Sequence, residues 1–529
     1  MDIRSEMGSD EWLKPLGFQL EESRILFLKT LKNFKTNPEA IHVVQEPIHA
    51  LRETVLITNV EKINRLFLEL KGFEEKLTEF RTKPEEWEAE SISQLVFTQE
   101  WSKPLNQIPV LLPALSIFKI YVVPFFAVLI PLVAWILPFL ILRFVFNVPM
   151  PFNIYMTTLS SMWLGGKLWS SMNLGEKARI LFQTSWTAFG LIQGVIQPVQ
   201  QAFHMKKIDD SILERGQFFQ KYANKLTEFF TTYSEVTGKK VECLHTEIWP
   251  TEEPRQLYAY IRDHPTDISW ISHSIASLEI QWRLAICPEL CFVKVTRTKR
   301  PSCKLVNFFD PSIPVNKRVT SSFVSRGHTV ITGPNKGGKS SILRALLLNI
   351  WLAQTYGVAF AHSATLSPFA WVESGLRLVD QPGEQSLFER ELAFASKVLR
   401  RSQSSEPGLL LYDELFHSTN PPDGKKTARR FLENLWKSPS VLSVVSTHVF
   451  ELVEESPKHV QRLCVPASVS ENGIRFSFTL VPGICKVSSV DELYKKFGFP
   501  AGKVSAGPNG QPSAGPNGQP SAGKSSTLS

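Results

Sequence analysis

The sequence predicts an α/β nucleotide-binding domain of the P-loop type in the C-terminal part of the chain. A mostly α-helical region that contains a transmembrane segment is predicted to precede it. Three observations lead to this fold class. A phosphate-binding loop stands between a β-rich run and a helical run, two later apolar runs end in acidic or polar side chains, and a charge-free apolar run lies further upstream. The length of 529 residues leaves room for about three domains.

The phosphate-binding loop is ITGPNKGGKSS, which fits the pattern G-x-x-x-x-G-K-[ST]. Its glycines let several backbone N–H groups point at one anion, Lys339 offers a positive charge to the β- and γ-phosphates, and Ser340 offers a hydroxyl to Mg²⁺. A strand is predicted at residues 328–332 and a helix at 340–354, so that the helix N-terminus faces the phosphates. We expect ATP and Mg²⁺ to bind here, and the predicted nucleotide-binding residues are Gly333, Pro334, Asn335, Lys336, Gly337, Gly338, Lys339, Ser340 and Ser341.

Two further runs predict the catalytic groups. The segment GLLLYDELFHSTN has an apolar run typical of a buried parallel strand, and it ends in Asp413 and Glu414. Carboxylates at this end of a strand lie where α/β sheets bind ligands. We predict that Asp413 holds Mg²⁺ together with Ser340 and that Glu414 is the general base. The run VLSVVSTH ends in His448, which is interpreted as a sensor of the γ-phosphate, and Lys339 completes the predicted catalytic set.

These segments resemble the ATPase domain of the MutS family from about residue 319 to residue 500, on TGPNKGGKSS, LLLYDEL and VVSTHVFELV. Between them, GEQSLFERELAFASKVL is similar to the family segment S-T-[FY]-x-x-E. The resemblance implies a P-loop ATPase of the MutS/ABC type that works as a dimer, in which Ser386 reaches the nucleotide of the partner subunit. The positions that match the family's dimer contacts are Ser386, Phe388, Glu391, Thr419 and Asn420.

The chain also departs from the family pattern. Phe416, His417 and Ser418 replace small and basic residues after the second motif, and Lys336 stands where the family usually has Met. Full-length MutS proteins are longer and carry a connector and a mismatch-reading domain with a Phe-x-Glu wedge, for which this chain has no space. Phe67-Leu68-Glu69 spells the wedge, but it lies in an amphipathic run that predicts a packed helix. The chain is therefore expected to be a truncated, divergent relative.

A charge-free apolar run occupies residues 120–142. At about 1.5 Å per residue it can cross the ~30 Å hydrocarbon core of a bilayer. A buried core helix is the alternative. The uncharged runs 106–118 and 144–166 could add a second crossing, a re-entrant turn or interfacial packing, whereas the Gln, Ser and Thr of run 180–203 predict a packed helix. Lys and Arg on both sides of the block favour an even number of spans, which stays open.

The predicted organisation follows the chain. Its parts are an N-terminal helical region at 1–99, a membrane-associated block at 100–166 with a span at about 120–142, a lever-like helical region at 167–290, the ATPase domain at 291–500, and a disordered tail of SAGPNGQP repeats at 501–529.

The function suggested by the resemblance is a dimeric ATP-driven switch that binds DNA, as in mismatch repair or DNA maintenance. The apolar run anchors it to a lipid bilayer, with the ATPase domain facing the cytoplasm or nucleoplasm because ATP is there. A net charge of +8 suits DNA or anionic lipid and does not choose between them. The alternative is a membrane-tethered ATPase of the same type that acts on a protein or lipid partner without binding DNA. A scaffold without turnover is disfavoured by Glu414 and His448.

Overall fold

The computed structural model describes residues 6–55, 57–82, 92–164, 173–238, 253–298, 300–377, 386–470 and 473–486. The run SVDELYKKFGF predicts a closing helix at 489–499. This run and the repeat tail at 501–529 lie outside the described residues.

Three helices form the N-terminal part, and the first two pack on the C-terminal half of the chain. They are α1 (Glu21–Leu31), α2 (Pro38–Thr54) and α3 (Ile57–Thr82). Trp12, Phe27 and Ile48 are fully buried in one core with side chains of the helix that follows the P-loop. Arg52 reinforces this contact, because its guanidinium donates to the carbonyls of Leu284, Ala285, Cys287 and Leu290 at 2.7–3.0 Å. The predicted N-terminal region 1–99 therefore packs on the C-terminal body through α1 and α2.

The middle of the chain is helical, as predicted. Its helices are α4 (Leu111–Val145), α5 (Phe152–Leu164), α6 (Leu174–Thr237), α7 (Pro254–Asp263) and α8 (Pro265–Ile286). Among the described residues, α4 is the one helix long and apolar enough to cross a membrane, and most of its side chains are exposed. The alternative of a buried core helix is therefore wrong for α4. Two π-helical turns, Phe118–Val122 and Ile141–Val145, lie within it.

The second half of α6 belongs to a separate aromatic core. Phe219, Tyr222, Leu226, Phe229 and Tyr233 recur at steps of three and four residues and are all buried. Phe67 of α3 is fully buried there, with its ring 5.0 Å from that of Phe229. The packed helix predicted for Phe67 is thus confirmed, and this side chain is not free to act as a wedge.

Two sheets form the C-terminal body. The first has the order β3-β2-β6-β1-β5 and the second the order β13-β10-β4-β9-β8-β7. Neighbours from β10 to β7 are parallel and β13 is antiparallel. The strands of the first sheet are β1 (Cys291–Val295), β2 (Cys303–Phe308), β3 (Ser321–Ser325), β5 (Val358–Ala359) and β6 (Ser363–Leu366). Those of the second sheet are β4 (His328–Thr332), β7 (Trp371–Gly375), β8 (Gly408–Tyr412), β9 (Val441–Ser446), β10 (Gln461–Cys464) and β13 (Val481–Pro482).

Helices cover the parallel sheet. They are α9 (Lys339–Tyr356), α10 (Leu387–Ser402), α11 (Pro421–Leu435) and the short α12 (Phe450–Glu454). The alternating run IRFSFTL predicts a strand at 474–480. In the structure this strand, β12 (Gly473–Phe476), is shorter and pairs with β11 (Ala467–Ser470). Strands β4, β8 and β9 are neighbours and fully buried, including the polar residues of β4 and β9. The residues that follow them therefore meet at one edge of the sheet.

Candidate functional site

The P-loop connects the end of β4 to the start of α9. Gly338 has a φ of 94°, in the left-handed region that favours glycine, and a Cβ there would lie 3.0 Å from the Phe478 ring. The loop closes on itself where the Gly337 N–H donates to the Pro334 carbonyl at 3.1 Å. Asn335 and Lys336 are exposed on its outer side. The strand–loop–helix arrangement predicted from the sequence is confirmed.

Lys339 is buried at the base of this loop. Its ammonium group donates to the carbonyls of Gly333 at 2.9 Å and Pro334 at 3.1 Å. Burial lowers the pKa of Lys339, and the nearby carboxylates of Glu414 and Asp413 oppose that shift. The positive charge is thus held beneath the loop and close to both acidic side chains.

Asp413 and Glu414 follow β8, and Ser446 at the end of β9 joins them. The Ser446 hydroxyl donates to the Asp413 carboxylate, and the Glu414 N–H donates to the Ser446 Oγ at 2.9 Å. Glu414 has a φ of 51°, a left-handed conformation that costs about 1–3 kcal/mol in a non-glycine residue and that clusters at functional sites. Ser446 was not among the predicted site residues, although it precedes Thr447-His448 directly. Only the neighbouring position of β8 and β9 reveals its role.

His448 lies against Glu414, because the neighbouring strands β8 and β9 end side by side. Its Nε2 is 3.0 Å from the Glu414 Oε1, and both side chains are 37% exposed. The hydrogen bond from His448 lowers the pKa of the Glu414 carboxyl, burial opposes the shift, and the charges of His448, Lys339 and His417 reinforce it. Glu414 is therefore held in its ionised, proton-accepting form.

The side chains at the loop also fit a magnesium ion. Ser340 is exposed at the first turn of α9, and Asp413 presents a half-buried carboxylate near Lys339. Hydroxyl and carboxylate oxygens are hard donors of the kind that Mg²⁺ prefers, and Mg²⁺ usually keeps several waters and phosphate oxygens as its other ligands. Two protein oxygens are enough for that arrangement.

A cavity of about 360 Å³ opens above the P-loop. Its walls include Glu414, Asp310 and the loop itself, together with apolar residues that the sequence did not predict for the site. These residues are Phe308, Phe309, Ile313, Val319 and Phe478. Phe308 ends β2 and Phe478 follows β12, so both come from elements that the sequence does not link to the P-loop. An apolar wall next to a phosphate loop is suited to the flat base of a nucleotide.

The predicted dimer-contact residues form a second cluster, and none of them lines this cavity. Ser386 caps α10, because its Oγ accepts from the Glu389 N–H at 3.3 Å, and it is exposed. Asn420 caps α11 by accepting from the Asp423 N–H at 3.0 Å. Thr419 is half-buried beside Asn420.

Glu391 connects this cluster to the loop after β8. Its buried carboxylate accepts from the Ser418 hydroxyl and lies 3.2 Å from the His417 Nδ1. The Phe388 ring lies edge-on to Phe416 at 6.4 Å. His417 and Ser418, which depart from the family pattern, therefore contact residues that match it.

The P-loop, two carboxylates and a histidine thus meet at the ends of three adjacent strands. Residues 329–508 match the family model MutS domain V. Domain V is the C-terminal ATPase domain of MutS proteins. The DNA mismatch repair protein MutS of Streptococcus sanguinis (strain SK36) is 30% identical to the chain over 174 residues, which are 32% of this chain and 20% of that protein. The aligned part of the chain spans about a fifth of the length of this relative.

The MutS domain V match contains every predicted nucleotide and dimer residue. It begins in β4 and includes the P-loop, the loop after β8 and the end of β9. The resemblance to the MutS family is therefore confirmed over the matched residues. The N-terminal helices, α4 and the long helix α6 lie outside the match.

Proposed function

We propose that the MutS domain V region binds and hydrolyses ATP. The contact between Glu414 and His448, beside a P-loop with a buried lysine, carries this proposal. The P-loop N–H groups and Lys339 would bind the phosphates. Ser340 and Asp413 would hold Mg²⁺, which when bound neutralises charge on the phosphate oxygens. Glu414 would accept a proton from the attacking water.

His448 and Ser446 position the base in this proposal. Ser446 fixes the backbone of Glu414 and the Asp413 carboxylate at once, and His448 holds the Glu414 carboxylate from the other side. The His448 side chain is 37% exposed, so it can also contact the γ-phosphate. The two residues thus bring base and metal ligand into one arrangement before the nucleotide binds.

The active unit we propose is a homodimer. Ser386 is exposed at the start of α10, where an N-terminal helix turn and a hydroxyl can reach an anion of a facing subunit. Thr419 and Asn420 lie at the start of α11, on the loop whose Ser418 donates to Glu391 of α10. Closure of two such subunits on ATP and their opening on hydrolysis would make the dimer a switch.

DNA is the proposed load of the switch, as in mismatch repair or DNA maintenance. Three facts support it: the name of the matched relative, a net charge of +8, and an exposed basic run on β1 and β2. Lys294, Arg300 and Lys304 of this run are exposed, whereas Arg297 is paired with Glu39. Basic side chains of this kind bind phosphates with a marked dependence on salt.

A membrane anchor is proposed as well, with the ATPase domain on the cytoplasmic or nucleoplasmic side. The observation behind it is α4, whose apolar side chains are exposed along its length. The same helix supports the second candidate function, in which the ATPase acts on a protein or lipid partner and does not bind DNA.

ATP hydrolysis by the detergent-solubilised chain tests whether DNA is the partner on which the switch acts. We expect duplex, mismatched or branched DNA to stimulate hydrolysis, and the stimulation to weaken as salt is raised because phosphate contacts are ionic. Steady-state phosphate release with each DNA, and with lipid vesicles, is the measurement. Hydrolysis that responds to vesicles but to none of the DNA structures would contradict the DNA function and favour the second candidate.

The pH dependence of hydrolysis tests the contact of His448 with Glu414. Because the hydrogen bond from His448 lowers the pKa of Glu414, the acidic limb of the activity profile should lie below the usual range of a glutamate carboxyl. His448→Ala removes the largest cause of the shift, so the acidic limb should move to higher pH. Profiles of kcat against pH for both proteins give the answer. The control is His362→Ala, at an exposed histidine of another loop, which should leave the limb in place.

A further inference from the structure

The apolar helix α4 and the first half of α6 run antiparallel, side by side. The Ser116 hydroxyl donates to the Asp209 carboxylate at 2.8 Å, and the Tyr121 hydroxyl lies 3.5 Å from the Lys206 Nζ. Residue numbers thus rise along α4 while they fall along the facing part of α6, so the two helices are antiparallel. The two helices stay in contact beyond these pairs, and α5 folds back against α4, where the Tyr155 hydroxyl donates to the Trp135 carbonyl at 2.8 Å. Together α4 and residues 174–209 of α6 form a hairpin.

Most of the packing of α6 in this hairpin lies on one face. The fully or partly buried residues of the stretch 180–203 are Ile180, Thr184, Ala188, Gln193, Val195, Pro198, Val199 and Ala202, and all but Gln193 lie on that face. Large apolar side chains cover another side and are exposed, at Phe182, Trp186, Phe189, Ile192, Ile196 and Phe203, with the exposed polar residues Ser185 and Gln200 among them. The packed helix predicted for run 180–203 is therefore observed on one side of α6. The aromatic side lacks a protein partner among the described residues.

Both helices of the hairpin have the length and the charge-free stretch of a membrane span, and α4 alone among the described helices is also as apolar as a typical span. Residues 120–142 and 180–203 contain no Asp, Glu, Lys or Arg. At 1.5 Å per residue each stretch is about 35 Å long, enough for a hydrocarbon core of ~30 Å. Lys119 and Lys206 flank them at one end of the hairpin and Arg143 and Arg179 at the other. Such a charge-free block between charged ends is typical of membrane spans.

A polar side of α6 completes the description. Gln183, Thr187, Gln197 and Gln201 are exposed there together with two glycines. Small and amide side chains are what a membrane helix presents to another helix, whereas lipid contacts the aromatic and aliphatic side. In a bilayer we therefore expect another helix against the polar side, and lipid along Phe182, Trp186 and Phe189.

Both ends of the hairpin return to the same folded body. The chain before α4 is anchored there by Trp12 and Phe27, in the core of the domain V region. The chain after residue 209 enters the aromatic core, where Asp209 accepts two hydrogen bonds from the Arg255 guanidinium at 2.8 and 2.9 Å. Helix α8 joins the two cores, because Trp282 is buried in the aromatic core and Leu284 in the core of Trp12 and Phe27. A single crossing by α4 would place these two parts on opposite sides of the membrane. Because the fold holds both parts together, the chain must cross the membrane a second time.

We propose that α4 and residues 174–209 of α6 form a transmembrane hairpin, and that α6 is the second span. The N-terminal helices and the domain V region then share one side of the bilayer, and the turn at 146–151 lies on the other. This inference rests on the membrane anchor proposed above. It also makes α6 a continuous 64-residue helix from the bilayer into the aromatic core of the body, so that a shift of that core moves the hairpin.

Labelling of single added cysteines in sealed membrane vesicles tests the topology, with the full-length chain as the blank for its native thiols. The sites are exposed: Val43→Cys on α2, Ser405→Cys on the domain V region and Val148→Cys on the turn. With a membrane-impermeant maleimide, Val43→Cys and Ser405→Cys should fall in one accessibility class and Val148→Cys in the opposite class. Different classes for Val43→Cys and Ser405→Cys would overturn the hairpin, as would one class for all three.

Alkaline carbonate washing of the vesicles tests the membrane anchor separately from the hairpin topology. A chain that carbonate releases from vesicles contradicts the proposed membrane anchor, and the hairpin with it. A chain that stays in the pellet but has the wrong labelling pattern contradicts the hairpin alone.

A charge substitution on α6 tests its role as a span. Ile192→Glu adds a charge at a 53% exposed position on the aliphatic side of α6, which should raise the fraction of Val148→Cys chains that label in the same class as Ser405→Cys. The control, Val43→Glu, lies at a 69% exposed position of α2 and should leave that fraction unchanged. Equal labelling fractions for both variants would overturn the role of α6 as a span.

Discussion

Glu414→Gln is expected to reduce ATP hydrolysis by about 10²- to 10⁴-fold, the usual contribution of a general base. The substitution keeps the size of the side chain and its hydrogen bond to His448 and removes its ability to take a proton. Nucleotide binding should survive, because the P-loop and Lys339 do not depend on this carboxylate for their backbone geometry. Single-turnover hydrolysis together with equilibrium binding of a fluorescent ATP analogue would measure both effects.

Glu406→Gln is the matched control for this experiment. Glu406 is exposed just before β8, at the opposite end of the strand from Glu414, and should be neutral for hydrolysis. Equal activity of Glu414→Gln and the unaltered chain would remove Glu414 from the chemistry. Loss of binding in parallel with loss of hydrolysis would mean that the residue supports the site and does not act as the base.

Phe27→Ala is expected to lower the free energy of unfolding of the body by about 3–5 kcal/mol, the range for a fully buried phenylalanine. Phe27 is completely buried, and its ring stacks on Tyr356 at the end of α9 with 5.0 Å between centroids and 5° between planes. Because α9 starts at the P-loop lysine, this cavity would weaken the helix that carries the nucleotide site. Denaturant unfolding of the detergent-solubilised chain, followed by tryptophan fluorescence, measures the loss.

Ile25→Ala is the control on the same helix. Ile25 is 48% exposed, so its truncation should change the free energy of unfolding by no more than about 0.5 kcal/mol. If Phe27→Ala were as mild, the N-terminal helices would not share a cooperative core with the domain V region. The argument that both ends of the hairpin lie on one side of a membrane would then lose its support.

Local patterns in the sequence determined the nucleotide site. The P-loop, the carboxylates after β8 and the histidine after β9 are each encoded by a few adjacent residues, because a strand end and a glycine loop depend on short-range backbone geometry. The aromatic stripe of α6 follows from helical periodicity in the same way. The apolar run that forms α4 could be recognised in the sequence for the same reason.

Tertiary structure decided what depends on distant contacts. Ser446 became a site residue only because β9 lies next to β8, and Phe308 and Phe478 line the cavity only because separate elements converge on it. Likewise, the packing of the N-terminal helices on α9 and the antiparallel course of α4 and α6 join residues far apart in the chain. No local spacing encodes such pairings, since they depend on which surfaces the folded chain buries together.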